Sequence, residues 1–557
     1  MTAQSPFLLS FTPGLMAQDT LEALFVQPSR LPERLVELIT ESATSRSKHY
    51  TLLVGGQGCG KTHLVALVYH RVRSLESLQG RLLVAWLRED GWGASSFLDL
   101  LVQVIQELKS AYPELVPPEM LEHLYAVPPD EAERVAAAQL LEFLEGRTLL
   151  LLLEDLDAIF SGLGDEGQKK LRAYLQQNPS FTILATAREL FSGVSLQTSP
   201  FYGFFRIQHM APLEVEEAAR LARNVACLRD DNTLVPFLET TAGRARLRAV
   251  YHLAGGNHRV HFVFARLLTR DSLDELVPPV LQTLDELAPS YQARVQRLSP
   301  HRRKVVLFLC QRRHAVPVKE IARHLFMTHQ TASAHLGSLR ELGYVRAESF
   351  GRDSYYELAE PLMRLCLEMR QADGRRLPLF VEFLKLWFDL QQPREELPQP
   401  APRTRSMLLD GGQGSCVLGR WAQAEAAFEE ALETEGDDPV QVSRQTAALM
   451  ADLLLHPVDA SSWPEWVEGL VNLYGRHGLL AALGAGVAYT VHELSGVSRE
   501  RRCAWVDGWR NEAGSHEELE LPVRLLDVTA RYLEDEEARA LLPLAWEERQ
   551  LLAAIRR

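Results

Sequence analysis

The sequence predicts an α/β domain built on a parallel sheet, then a helical lid, a winged helix-turn-helix and an all-α C-terminal region. Three observations carry this. Apolar runs at 51–54, 82–87, 149–153 and 181–185 alternate with amphipathic segments such as 96–108 and 168–176. Runs of that length read as strands buried on both faces, and their alternation with helices implies parallel pairing. From about Pro212 the pattern turns helical, with 215–228 and 244–253 as clear segments. A short stretch from Ser299 to about Leu358 then reads as three helices and a two-strand wing.

The 557 residues are enough for about three to five domains. Apolar residues make up 46% and charged residues 24%, so each domain can bury its own core. Cys59, Cys227, Cys310, Cys366, Cys416 and Cys503 form no C-x-x-C pair. That argues against a zinc site or a disulfide framework and for a reducing compartment. No basic segment precedes Phe7-Leu8-Leu9, so no secretory leader is expected. The longest apolar stretch, 479–491, is broken by Gly484 and Gly486 and is too short for a bilayer of about 30 Å, so it reads as a buried helix. A cytoplasmic protein without a membrane partner is expected. The net charge of −14 disfavours non-specific nucleic-acid binding by the surface as a whole.

The chemistry starts after the first strand. Gly55-Gly56-Gln57-Gly58-Cys59-Gly60-Lys61-Thr62 fits G-x-x-x-x-G-K-[ST], and a helix from His63 comes next. The glycines let backbone N–H groups turn toward phosphates, and the helix N-terminus adds partial positive charge. Lys61 is expected on the β- and γ-phosphates, with the Thr62 hydroxyl on Mg²⁺. A second glycine run, Gly411 to Cys416, lacks the G-K-[ST] ending and reads as a loop.

Five leucines, 149–153, lead into Glu154-Asp155-Leu156-Asp157. A buried strand that ends in acids is the Walker B arrangement of an ASCE-type P-loop NTPase. By position, Glu154 holds Mg²⁺ through water and Asp155 orients or deprotonates the attacking water. The usual order is Asp then Glu; here it is reversed, and the shorter Asp155 points to slow hydrolysis. The next strand ends in Thr186-Ala187-Arg188, which makes Thr186 and Arg188 candidates for sensing a γ-phosphate.

With Gly255-Gly256-Asn257-His258-Arg259 downstream, these motifs resemble bacterial and archaeal P-loop ATPases of the STAND/AAA+ type, related to Orc/Cdc6-like and "archaeal ATPase" proteins. The likeness spans roughly residues 20–370. It implies ATP or ADP with Mg²⁺ as cofactors, a nucleotide contact from the lid, and Arg259 as a second sensor. His258 stands where many STAND members carry a proline. Phe25 and Val26 correspond to a segment that packs near adenine, and His63 continues the loop into its helix. The resemblance also implies an arginine finger, for which Arg188, Arg172 and a neighbouring subunit stay open.

From Ser299-Pro300 onward the sequence resembles a MarR-like winged helix-turn-helix. Helices are expected at 301–312, 318–326 and from Thr328 through Leu342, with Ile321, Leu325 and Phe326 facing inward. On the third helix, His329, Gln330, Ser333 and Arg340 are candidates for DNA contact, joined by Arg302 and Arg303 and by Arg352 at the wing tip. Between Arg294 and Arg346 lie eleven basic residues and two acids, a net charge of about +9. Alternatively, the basic side chains face acidic helices of the same chain, such as Glu425–Asp438. A Pro-rich linker, 397–402, precedes a helical region in which 418–432 resembles the second helix of a tetratricopeptide repeat.

The expected domains are therefore a lead-in segment (1–48), a P-loop NTPase domain (49–210), a helical lid (211–295), a winged helix (296–372), a linker (373–404) and a TPR-like helical domain (405–557). Two functions fit. One is a nucleotide-dependent ATPase switch with slow hydrolysis and nucleotide-controlled binding of double-stranded DNA. The other is a signalling or scaffold NTPase whose winged helix packs internally and whose C-terminal helices bind a protein partner. Either allows a nucleotide-dependent homo-oligomer.

Overall fold

Five parallel strands form the central sheet: β1 (Tyr50–Val54), β2 (Leu82–Leu87), β3 (Thr148–Leu153), β4 (Phe181–Ala187) and β5 (Arg206–His209). Their order is β2-β3-β4-β1-β5. This is a computed structural model. It describes residues 13–27, 30–88, 93–117, 119–269, 276–312, 314–350, 353–368, 376–390, 425–426, 429, 432, 439–455, 463–535 and 538–555. The chain divides into one unit of Met1–Asp230 with Gly256–Phe262, and a second of Asp231–Gly255 with Val263–Arg557.

In the first unit, β2, β3 and β4 are buried along their whole length, as their leucine and alanine runs require. The edge strand β5 is exposed at three of its four residues and has no apolar run, so the sequence did not announce it. The register sets Leu53 of β1 beside Thr186 of β4, and Leu153 of β3 beside Ala185. The C-terminal ends of β1, β4 and β3 thus lie side by side at one sheet edge.

Helices α1 (Gln18–Leu24) and α2 (Leu31–Thr44) precede β1, and α3 (Lys61–Ser74) comes after it. The helix α4 (Phe97–Ala111) starts where the Ser96 side chain accepts from the Asp99 amide, and it buries Phe97, Leu100, Leu101, Val104, Ile105 and Leu108. After α5 (Glu119–Ala126) and α6 (Pro129–Leu144), α7 (Leu156–Gln177) carries Gly162. A Cβ there would lie 2.0 Å from the Ala94 carbonyl oxygen, so this approach demands glycine. The short α8 (Ser192–Ser195) and then α9 (Val215–Leu228) complete the unit up to the first turn of α12 (His258–Leu267).

The second unit holds α10 (Leu234–Glu239), α11 (Thr241–Ala254) and α13 (Val277–Gln296). Its winged helix consists of α14 (Pro300–Gln311), α15 (Val318–His324), α16 (His329–Glu341) and the hairpin β7 (Val345–Phe350) and β8 (Asp353–Leu358). A two-residue strand, β6 (Val316–Pro317), pairs with β8, so the wing sheet has three strands rather than two. Helices α17 (Pro361–Glu368) and α18 (Arg376–Leu390) come next.

The C-terminal helices are α19 (Pro439–Leu455), α20 (Trp463–Arg476), α21 (Leu480–Tyr489), α22 (Arg499–Ala513), α23 (Glu517–Asp535) and α24 (Trp546–Ile555). The apolar stretch at 479–491 is the buried helix α21. Its Gly486 lets Thr446 of α19 approach, since a Cβ would lie 2.6 Å from Thr446 Cγ2. Among the described residues no helix is long and apolar enough to cross a membrane. The linker at 397–402, the glycine run at 411–416 and most of the TPR-like segment lie outside the described residues.

Buried ion pairs tie the winged helix to these helices. Arg549 of α24 reaches Glu357 of β8 and Glu348 of β7, and Arg346 Nε donates to Glu357 Oε1 at 2.8 Å. Arg364 of α17 pairs with Glu547, and Arg524 of α23 with Glu548. Arg539 lies over the Tyr355 ring, and Leu542 packs with Ala315 and Tyr355.

Candidate nucleotide-binding site

The loop Gly55–Gly60 leaves β1 and turns into α3 through two left-handed glycines, Gly58 at φ 80° and Gly60 at φ 100°. Gly60 is the N-cap of α3, so Lys61 and Thr62 occupy its first two positions. Lys61 Nζ donates to the carbonyl oxygens of Gly55 (2.5 Å) and Gly56 (3.0 Å). Gly56, Gln57, Gly58 and Thr62 keep solvent access, whereas Cys59 is buried under the loop. At Gly55 a Cβ would press on Cys59 Sγ at 2.7 Å and Met210 Cβ at 3.0 Å.

The acids stand two strands away at the same edge. Glu154 is buried and its Oε1 accepts from Trp86 Nε1 at 3.2 Å. Asp155 takes a left-handed turn (φ 55°) as N-cap of α7. Its amide donates to Thr186 Oγ1 at 3.2 Å, and Arg188 Nη2 lies 3.5 Å from its carboxylate. Burial, then the hydrogen bond and charge of Asp157, pushes the Asp155 carboxyl up to about 6, against the pull of Arg188 and Lys61. Thr186, Arg188, Glu154 and Asp155 thus form one cluster flanking the loop. Thr62 and the carboxylates are hard oxygen donors of the kind Mg²⁺ takes, so the residues fit that ion.

The glycine–asparagine motif grips the loop from its other side. Asn257 Nδ2 donates to the Gln57 carbonyl (3.0 Å), and the Arg259 amide donates to the Gly58 carbonyl (3.1 Å). Asn257 Oδ1 accepts from the Val260 amide at 3.3 Å, which fixes the side chain. Two glycines make this approach possible. A Cβ on Gly58 would lie 2.4 Å from Asn257 Oδ1, and one on Gly256 would lie 2.3 Å from the Leu213 carbonyl oxygen. The motif was legible, but the part played by Asn257 was not.

His63 and His258 lie behind the loop rather than in it. Both are buried, with rings edge-on at 5.2 Å. His63 Nε2 lies 2.8 Å from the Leu21 carbonyl oxygen, and His258 Nε2 lies 3.2 Å from that of Leu24. Burial pushes their pKa values down to about 4 and about 3, so both are neutral at pH 7 and donate from Nε2. The side chain of His63, expected at the cofactor, instead anchors α1. Phe25 stands edge-on to His63 at 6.0 Å, and Val26 is buried.

Beside Met210 opens a cavity of about 420 Å³. Gln27, Arg30, Leu31 and Arg34 line one wall, and Gln208 to Pro212 with Glu214 and Glu217 line the other. Sequence reasoning missed these residues, because the exposed β5 carries no apolar run to mark the turn after it. Arg172, a candidate arginine finger, stacks on Phe204 at 4.0 Å, and burial depresses its pKa.

On the winged helix, His329, Gln330 and Arg340 of α16 are exposed, while Ser333 and Arg302 are half-buried. Arg303 caps α13 by donating to the carbonyls of Gln296 (2.6 Å) and Leu298 (3.2 Å). Arg352 lies outside the described residues. The basic island is partly consumed inside the fold: Arg294 pairs with Glu360 at 2.6 Å, and Arg346 pairs with Glu357. Of the acids in the alternative partner segment Glu425–Asp438, Glu425 and Glu429 pair with Arg476, and the others lie outside the described residues. Phe326, expected inward, is 95% exposed, because α15 ends at His324 and Phe326 then turns left-handed at φ 55°.

Residues 299–354 match the family model for the MarR family. Similar solved structures include a Walker-type ATPase of Pyrococcus abyssi, at 16% identity and TM-score 0.46, covering 65% of this chain and 99% of that one. The Aeropyrum pernix ORC2 protein in its ADPNP–ADP complexes is similar at 15% identity and TM-score 0.44, covering 69% and 98%. The A. pernix ORC1 protein in complex with DNA shows 14% identity and TM-score 0.37, covering 65% and 100%. Among curated proteins none matches. The strand order with the glycine loop after β1 is that of a P-loop ATPase fold, and the second unit carries a MarR-type winged helix.

Proposed function

We propose that this protein is an ATP–Mg²⁺-dependent switch that hydrolyses ATP slowly and whose nucleotide state governs DNA binding by the winged helix. The observation that carries this is the grip of Asn257 and Arg259 on the carbonyls of Gln57 and Gly58. The segment that opens the lid is thereby bonded to the loop that turns around phosphates. A change in that loop is transmitted directly to α12.

Each residue has its own part. Gly55 to Gly60 with the N-terminus of α3 cradle the phosphates, and Lys61 leaves its loop carbonyls for the β- and γ-oxygens. Thr62 and Glu154 hold Mg²⁺, with Asp155 beside them; the ion supplies charge neutralisation on the phosphates. Asp155 orients the attacking water, Thr186 fixes its backbone, and Arg188 reports the γ-phosphate. The cavity beside Met210 takes the base and ribose, with Phe25 and Val26 behind it and Arg259 as second sensor. Slow turnover results from Asp155, whose carboxylate is short and paired with Arg188. The exposed face of α16, with His329, Gln330, Ser333 and Arg340, meets the major groove, and Arg302 and Arg352 meet phosphates.

Steady-state ATP hydrolysis with and without duplex DNA, with Lys61→Ala as blank, tests this reading. Turnover that DNA changes and the blank lacks is the expected result. Nucleotide bound equally by wild type and Lys61→Ala would overturn it. The wing contacts of Arg549 and Arg539 favour a second reading, in which the winged helix is a packing module and the C-terminal helices receive a protein partner. Turnover indifferent to DNA would select it, and sedimentation with ATP or ADP would detect a nucleotide-dependent homo-oligomer.

A further inference from the structure

The turn before α16 holds a residue that the fold does not need. Helix α15 closes with the Met327 amide donating to the Ala322 carbonyl at 2.9 Å, which places Phe326 in the left-handed position of a helix C-terminus. Glycine suits that position because it has no Cβ. The other non-glycine residues with positive φ among those described are Glu145, Asp155 and Asp230, all acidic. Phe326 is the apolar exception, and its ring is 95% exposed. The exposed ring adds nothing to the core, and non-glycine residues held in the left-handed region cluster at functional sites.

Its surroundings define the occupant. Phe326 stands two residues before Thr328, the N-cap of α16, whose side chain accepts from the Thr331 amide. The N-terminal end of a recognition helix is the end that approaches base edges. From Ile321 to Arg340 the chain carries no Asp or Glu, while Arg323, His329 and Arg340 are exposed. The surface therefore suits a polyanion. In the major groove the one apolar group a base pair offers is the thymine C5-methyl.

We propose that Phe326 is a specificity-determining contact that packs on a thymine methyl when α16 enters the major groove. This rests on the DNA-binding reading above and adds to it a direct preference for thymine.

The test measures anisotropy of labelled mixed-sequence duplexes, one with thymine and one with uracil in every thymine position. Wild type should lose about five- to tenfold in affinity on the uracil duplex. Phe326→Gly should lose the same factor on the thymine duplex and nothing further on the uracil duplex. Its melting temperature should equal or exceed that of wild type, since glycine relieves the left-handed strain, so misfolding cannot account for the loss. Arg340→Ala should lower the salt dependence of binding but keep the thymine-to-uracil ratio. The proposal is overturned alone if wild type binds both duplexes equally, or if Phe326→Gly keeps the ratio. Wild type that binds neither duplex, with or without ATP, overturns the DNA reading and the proposal together.

Discussion

Replacing Glu357 by glutamine removes a carboxylate that serves two guanidinium groups. Its Oε1 accepts from Arg346 Nε at 2.8 Å and from Arg549, and Glu357 and Arg549 are 10% and 9% exposed. Burial already pulls the Arg346 guanidinium below its ordinary value, and Glu357 opposes this. After the exchange, the nearby Glu348 is a weak substitute, for it is 40% exposed and 3.4 Å from Arg549. Breaking a buried pair by removing one partner costs about 3–5 kcal/mol. The glutamine oxygen still accepts one hydrogen bond, so about 2–3 kcal/mol is expected. For a unit of this size that is a fall of roughly 5 °C in melting temperature. Seven of the nine tryptophans lie in the second unit, so tryptophan fluorescence tracks its unfolding. The combined exchange Arg346→Met, Glu357→Leu, Arg549→Met should restore most of the loss, because a matched apolar cluster has no desolvation penalty. A change below about 0.5 kcal/mol for Glu357→Gln would refute the reasoning, for it would mean that water screens the network.

Gly58→Ala should weaken binding of a fluorescent ATP analogue more than tenfold, since its φ is +80° and its Cβ would lie 2.4 Å from Asn257 Oδ1. Unchanged affinity would mean that loop and Asn257 part without consequence. His258 has a folded pKa near 3 against an ordinary 6.5, so the unfolded chain takes up a proton first as pH falls. The stability it contributes is complete above about pH 6.5 and is lost toward pH 3, with about 2.5 kcal/mol gone between pH 6 and 4. His258→Gln should flatten that limb of the urea midpoint against pH, and an identical slope would count against a neutral buried ring.

How legible the fold and the site were depended on where each contact came from. The strands β1 to β4 announced themselves as apolar runs, and the glycine loop did so by its fixed spacing. The edge strand β5 did not, because Arg206, Ile207 and His209 are exposed and Ile207 is its one apolar residue. The bond from Asn257 to Gln57 joins residues 200 positions apart through a backbone carbonyl, which leaves no trace in local sequence. Phe326 continued the apolar spacing of Ile321 and Leu325, and only the early end of α15 turns it out. A window of basic residues cannot show that Glu357 and Glu360, just beyond its edge, fold back onto Arg346 and Arg294.

These folded-back acids change the electrostatics of DNA binding. Of the eleven basic residues counted in sequence, Arg294 and Arg346 are paired with buried or half-buried acids, and Arg303 caps a helix. Arg312 stacks on Phe308 at 5.0 Å and lies 3.9 Å from Glu320. The exposed ones among the described residues are Arg297, Lys304, Lys319, Arg323 and Arg340. Each phosphate neutralised adds about −0.9 to the slope of log K against log salt. The full island would give a slope of roughly −8 to −10, whereas the five exposed residues alone give about −4 to −5. Titration of duplex DNA over a range of salt separates the two. The steep value would mean that the pairs of Arg294 and Arg346 open on binding, and that the wing leaves Arg549 when it meets DNA.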